Sequence, residues 1–317
     1  MIPAILIVGY CRPQNIELLL LGLLKSENDL FVFIDNSDSD ELGLNFRVKE
    51  IVHRFSLQRK IHILHSSNNI GPQSAVAKAV DWVLQSRDSV IVLEDDSTIN
   101  QFTIAYFNEN VCRLGNQIAL VSGRSITNEL FRHDLNSAVS DCLVNSSYPL
   151  SNGWMTNSEN WAIISRVESN YSIIRDAIIF SVKMPRYAKS LMFFGAGSIR
   201  FRNKIGKVGW DSILAFNMLI QGISCIIPNI NMVGNIGIDR VASNTKSIDN
   251  SQDVVLIQID QKEASRHLCA EGKIYDRFIE HYIYKLRAKH FFSLIKAIFD
   301  LFKFKLQKKI NSFQQII

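Results

Sequence analysis

Cysteine is scarce and unpatterned: Cys11, Cys112, Cys142, Cys225 and Cys269 are the only five in 317 residues. Their number is odd and no C-x-x-C spacing occurs, which argues against a disulfide framework or a zinc site and suits a reducing cytoplasm. Long apolar runs are also missing. No stretch approaches the roughly 18–20 residues that a membrane span requires. The start carries neither a basic n-region nor a small-residue cleavage site, so no secretory signal is expected. The seven histidines are dispersed, and none pairs with an acid at a metal-ligand spacing. An excess of basic charge is missing from the body of the chain. Of 35 Lys and Arg, eight fall between residues 285 and 310 beside a single acid, Asp300. The remainder holds 27 basic against 29 acidic residues. A general nucleic-acid binder would carry basic residues across its working face, so nucleic acid is not an expected partner.

What is present is an ordinary globular composition, 47% hydrophobic and 21% charged, with length for one large α/β domain or two small ones. Residues 3–9 read as a buried strand and 14–24 as a helix opened by Pro13. A strand at 30–34 runs into a polar turn at 35–40, followed by a helix over about 45–55 and a strand at 60–64. Gly71-Pro72 breaks the chain before an amphipathic helix, 73–85, and 89–93 is the most continuous β-branched run. This rhythm predicts a mostly parallel central sheet covered by helices. Further on, 117–122 and 223–227 read as strands and 209–219 as a helix. Residues 152–161, dense in Trp, Asn and Gly, read as a shaped loop rather than a packed element. No internal repeat or linker is seen before about 270. One domain is therefore expected over 1–270, with halves at 1–122 and 123–270, and an extension over 271–317.

The strongest chemical signal is Val90-Ile91-Val92-Leu93-Glu94-Asp95-Asp96, a strand that ends in three acids. In an open α/β sheet, ligands bind beyond the carboxyl ends of the strands, so acids there are well placed to hold a cation. When a sugar leaves a nucleoside diphosphate, negative charge gathers on the phosphates. Mg²⁺ or Mn²⁺, held by one carboxylate and those phosphates, would neutralise it. A solvated acidic turn or helix cap accounts for the same tripeptide. Asp211 follows Gly209-Trp210 and precedes an apolar helix. There it can be an N-cap, or a base whose ionised form the helix dipole stabilises, and the two roles are compatible.

Asn69-Ile70-Gly71-Pro72, the helix that follows, and the strand–acid cluster together resemble the GT-A fold of glycosyltransferases. Ile5 to Pro13 is similar to that family's first strand and turn. Gly153-Trp154, Gly209-Trp210-Asp211, Ile227-Pro228 and Asn235-Ile236-Gly237 resemble an inverting, family-2-like branch related to N-acetylglucosaminyltransferase I. The resemblance spans roughly residues 3–245. It implies Asp96 as the metal ligand, with Glu94 and Asp95 orienting the site, and Asp211 as the catalytic base. It also implies a donor site made by Arg12, Asp35, Asn69 and Gly71, with Asp35 accepting from a uracil ring. Trp154 is expected to wall the sugar site, whereas Trp161, followed by Ala-Ile-Ile, is expected in the core. One departure is visible: where the family pattern often carries a His, the loop here reads Ala242-Ser243-Asn244-Thr245, with Arg240 as a nearby cation.

In a helix about 39 Å long over 285–310, Phe291, Ile295, Ile298, Phe302 and Leu306 would share a face. Such basic amphipathic segments suit an anionic membrane surface; a helix docked on the domain or pairing in a dimer is the alternative. The expectation is thus an inverting GT-A glycosyltransferase using a nucleotide-sugar, UDP-linked by preference, with Mn²⁺ or Mg²⁺. It would act on a glycan or lipid-linked acceptor of surface polysaccharide synthesis, at the cytoplasmic face of a membrane. A sugar nucleotidyltransferase is one rival, disfavoured because Gly9 is the only glycine in the first turn where a triphosphate-gripping loop would be Gly-rich. The other is a non-catalytic nucleotide-sugar-binding member of the fold.

Overall fold

A computed structural model of the chain describes residues 2–39, 43–125, 143–147, 149–165 and 210–236, with four positions between 263 and 269. The chain divides into two units, Met1–Ser169 with Val208–Lys273, and Asn170–Lys207 with Ile274–Ile317; every described residue belongs to the first. The segments expected as a basic helix at 285–310, as the extension over 271–317 and as the loop beyond Gly237 lie outside the described residues.

The first half alternates strand and helix as the periodicity predicts. β1 (Ala4–Gly9), α1 (Pro13–Leu23), β2 (Leu30–Ile34), α2 (Leu44–Ser56), β3 (Ile61–His65), α3 (Gly71–Leu84) and β4 (Ser89–Glu94) follow in order. Pro13 opens α1, where its missing N–H costs nothing. A short strand β5 (Ser97–Ile99), α4 (Thr103–Asn110) and β6 (Ile118–Ser122) complete it. The second half contributes β7 (Leu143–Ser146), β8 (Trp154–Asn157), α5 (Ser158–Ile164), α6 (Trp210–Gln221), β9 (Ser224–Ile227), β10 (Val233–Asn235) and β11 (Leu268–Cys269).

Nine of these strands form one sheet in the order β11-β7-β9-β6-β8-β4-β1-β2-β3, and β10 with β5 forms a separate ribbon. The half made by β4, β1, β2 and β3 is wholly parallel. β8 runs antiparallel to both of its neighbours, β4 and β6. The segment 152–161 is therefore not the loop expected. Its centre is an interior strand, and its end is a helix whose first turn is capped by the Asn157 side chain accepting from Asn160 N.

Side-chain alternation makes two cores. Ile5, Ile7, Val32, Ile91 and Leu93 join one cluster with Ile16, Leu19, Val48 and Val52 of α1 and α2. The intervening residues Leu6, Phe31, Phe33, Val90 and Val92 are equally buried and face the other way, where α3 packs on β1, β2 and β4. Each large side chain so removed from water contributes about 1.5–3 kcal/mol, and the central strands β1, β2 and β4 are buried along nearly their whole length. Among the described residues no helix is long and apolar enough to cross a membrane.

Candidate active site

From β1 the chain steps outward through β2 to β3, then returns to lay β4 on the opposite side of β1. The strand order reverses at this point, and the carboxyl ends of β1 and β4 lie side by side there; in such sheets the crevice beyond those ends is the usual ligand position. Glu94, Asp95 and Asp96 leave β4 at that point. Tyr10, Cys11 and Arg12 leave β1 beside them.

Asp95 is buried and turned back into the protein. Its Oδ2 accepts from Tyr10 N at 2.8 Å and its Oδ1 pairs with Arg12 Nη1 at 2.6 Å. Burial pushes its carboxyl upward, and Arg12 with the Tyr10 amide pulls it back. Arg12 was expected to meet the donor; here it spends one of its five N–H donors on holding Asp95. The two loops at the crevice are thereby clamped together.

Asp35, at the end of β2, has a similar internal task. Its carboxylate accepts from Ser66 Oγ at 2.7 Å, Ile70 N at 3.1 Å and Gly71 N at 3.0 Å. It ties the ends of β2 and β3 to the first turn of α3. Gly71 holds φ +78, a conformation that side chains disfavour, and open space lies where a Cβ would stand. Asn69 completes the turn: its Oδ1 accepts from Gly71 N at 3.0 Å and its Nδ2 reaches Tyr10 Oη at 3.3 Å. The acid expected to face a uracil ring is thus a buried organiser of the turn. Tyr10, Ser66 and Asp38, which accepts from Asn69 N at 3.1 Å, are the neighbours that the sequence reading missed. No local pattern marks them, because their partners lie 31 to 59 residues away.

Glu94 takes the opposite face from Asp95. In β4 it follows Val92 by two positions, and Val92 pairs with Trp154 of β8, so Glu94 lies on the Trp154 face. Burial, then Asp96 and Asp95, push its carboxyl up to about 8. A hydrogen bond from the Trp210 side chain acts against them, and Asp211 adds a further upward push. The first turn of α6 therefore stands near the end of β4, and Asp211 is exposed there.

Asp96 begins the crossing to β5. Its carbonyl accepts from Ile236 N at 2.9 Å, and Ser97–Ile99 pairs with Val233–Asn235. The β10 strand is itself seated on Gly123: Met232 N and Val233 N both donate to its carbonyl, and its own N–H donates to Gly153 O at 2.7 Å. A Cβ on Gly123 would come within 2.5 Å of Val233 Cγ2. Gly123 thus supports the ribbon that begins beside Asp96.

Trp154 is not a wall of the site. Its side chain is fully buried, with Trp161 stacked on it at 5.7 Å and Trp210 at 5.3 Å. Both neighbours are indoles, so no face is left for a sugar. Trp161 is buried as expected. Among the described residues no group of three or more His, Cys, Asp or Glu side chains is arranged to hold a metal ion.

No family model matches the sequence, and no curated protein matches it. Solved structures give distant likenesses. A mannosyltransferase from Pyrobaculum calidifontis, in complex with GDP-Man and Mn²⁺, is 11% identical over 70% of each chain, at a TM-score of 0.39. The glycosyltransferase GlyE of Streptococcus pneumoniae TIGR4 is 16% identical over 69% of this chain and 43% of its own, at 0.32. Its apo form gives 13% identity, 72% and 54% coverage and a TM-score of 0.28.

Proposed function

We propose that the chain is an inverting glycosyltransferase that draws its sugar from a nucleoside-diphosphate donor, with the donor lying across the crevice between the ends of β1 and β4. The observation that carries this reading is the convergence there of the strand-end acids with the first turn of α6. Glu94 joins them, bonded to Trp210 and sensing both Asp96 and Asp211. A base and a phosphate-side acid on one rim are what a single displacement needs.

Asp211, exposed at the start of α6, would accept the proton of the attacking acceptor hydroxyl. Asp211 stands in the first turn of α6, where the positive end of the helix dipole faces it. Attack on the anomeric carbon from this side, opposite the departing diphosphate, inverts its configuration. Asp96 is the residue proposed to hold Mn²⁺ or Mg²⁺ together with the donor phosphates. Its sequence neighbours at the end of β4 are the carboxylates Glu94 and Asp95, and carboxylate oxygens suit a hard divalent cation. Burial is the main cause of the upward shift at Glu94, and the smaller contribution from Asp96 and Asp95 is of the kind a cation relieves. When bound, the ion would supply charge neutralisation for the leaving diphosphate. Asp95 and Arg12 hold the loops that shape the crevice, and Asp35, Asn69 and Gly71 hold the turn beside the nucleoside position. A UDP-sugar is proposed from the family resemblance of the sequence alone, because the Asp35 carboxylate is already engaged by Ser66, Ile70 and Gly71. The basic pattern at 285–310 supports a lipid-linked acceptor at an anionic membrane surface.

Calorimetry with UDP, GDP, TDP and CMP in the presence of Mg²⁺ tests the donor site. One nucleotide should bind, and Asp96→Ala or EDTA should weaken it by about tenfold or more, the effect of removing a charge-assisted contact. Equal binding by Asp96→Ala, or none by the wild type, would overturn the assignment.

A further inference from the structure

Three indoles stand in a row within this unit, and the row leads to the acid rim. Trp161 of α5 stacks on Trp154 of β8 at 5.7 Å with 26° between the ring planes. Trp154 stacks in turn on Trp210 of α6 at 5.3 Å and 28°. All three are buried. At the far end the row is fixed to α3, where Trp161 Nε1 donates to Asp81 Oδ1 at 2.6 Å. At the near end, the Trp210 side chain bonds Glu94.

The middle member is informative. Trp154 Nε1 is buried with no hydrogen-bond partner, so Trp154 contributes only its ring faces. A phenylalanine would avoid that unpaired N–H but offers a smaller face to stack on. A second contact fixes α6 independently: Asn217 Nδ2 donates to Ile164 O at 2.7 Å, at the end of α5. The helix that begins with Trp210 and Asp211 is thus pinned along its length to α5, and at its start to β8 and β4.

Resting on the transferase reading above, we propose that Trp210 is a positioning residue. Through its stack on Trp154 and its hydrogen bond to Glu94, it sets where Asp211 stands relative to the strand-end acids. Ligand binding at that rim is consequently felt by the indole row.

Near-ultraviolet circular dichroism and tryptophan fluorescence would be recorded while UDP and Mg²⁺ are added to wild type, Trp82→Phe and Trp210→Phe. Trp82 contacts Phe31, which lies near the amino end of β2 and not at the strand ends that make the rim, and serves as the control. Wild type and Trp82→Phe should respond, and Trp210→Phe should lose the response while still binding UDP by calorimetry. Its donor-hydrolysis kcat should fall by about tenfold to a hundredfold with KM within about threefold, the pattern of an interaction made in the transition state. A Trp210→Phe protein that matches wild type in response and kcat overturns the proposal. A ligand-free arm separates this outcome from failure of the transferase reading. Thermal unfolding of Trp210→Phe, Glu94→Leu and the double variant should give Tm changes that are less than additive, because each change removes one partner of the same contact. If no nucleotide binds wild type, the transferase reading falls and this cycle alone decides; additive changes overturn the Trp210–Glu94 contact.

Discussion

Carboxylates at strand ends were recognisable as important one by one, but their tasks were set by atoms far away in the chain. Asp95 meets Tyr10 and Arg12 across 85 and 83 positions, and no spacing rule reaches so far. With side chains only 6% and 14% exposed, this is a buried pair, and removing one partner strands the other's charge. Arg12→Met should therefore lower the unfolding free energy by about 3 kcal/mol in urea titration, the lower end for a broken buried pair because the Tyr10 amide remains. Asp35 presents the same lesson: an acid that looked like a base-reading group is occupied with the turn at Gly71. Since Gly71 sits at φ +78, Gly71→Ala should cost about 1–2 kcal/mol in the same measurement, although no atom stands where the methyl would go. Full stability in that variant would contradict the turn geometry. Trp154 misled for a different reason. Its neighbours Gly153 and Asn152 are loop-like, whereas its burial comes from Trp161 of the helix that follows and from Trp210 of α6, far along the chain.

Elements of the parallel half were legible almost to the residue, because β-branched runs and 3.6-residue periodicity both persist there. β8 was not. Four residues between Asn-Gly and a helix cap carry too little pattern, and its place between β4 and β6 is decided by pairing. The ribbon of β5 and β10 was hidden likewise, and Gly123 is its foundation. Gly123→Ala drives a methyl to 2.5 Å from Val233 Cγ2 and 3.0 Å from Gly153 O, so it should destabilise by about 1–3 kcal/mol. Adding Val233→Ala should recover part of that loss in thermal unfolding, which a purely local backbone effect would not allow. On the edge strand β3, His62 lies flat on Phe31 at 4.4 Å. Burial holds its imidazole below the usual value of 6.5, with Lys60 and Arg87 acting the same way and Asp29 opposing. The unfolded chain then takes up a proton more readily than the folded one. The stability this protects is present above pH 6.5 and declines as the pH falls below it. His62→Phe should flatten that decline in denaturation curves at pH 5 and pH 7.5. An unchanged slope would assign it to other groups.

At the scale of the molecule, the decisive feature is a sheet whose strand order reverses beside β1. That reversal brings residues 10–12 to residues 94–96, and the β8–α5–α6 layer brings Trp210 and Asp211 to the same rim. The α/β class was legible because strands and helices alternate strictly through β4. The mixed half was not, since its strands follow one another without a regular rhythm and part of the chain between them lies outside the described residues. Whether this rim breaks the bond between a sugar and a nucleoside diphosphate is decided by sugar release from purified protein offered UDP-, GDP-, TDP- and CMP-sugars with Mn²⁺. One donor should be hydrolysed slowly, with release lost in EDTA and in Asp96→Ala, and reduced by about a hundredfold or more in Asp211→Asn, as expected for loss of a general base. No release from any donor, or release that survives both substitutions, would contradict the account.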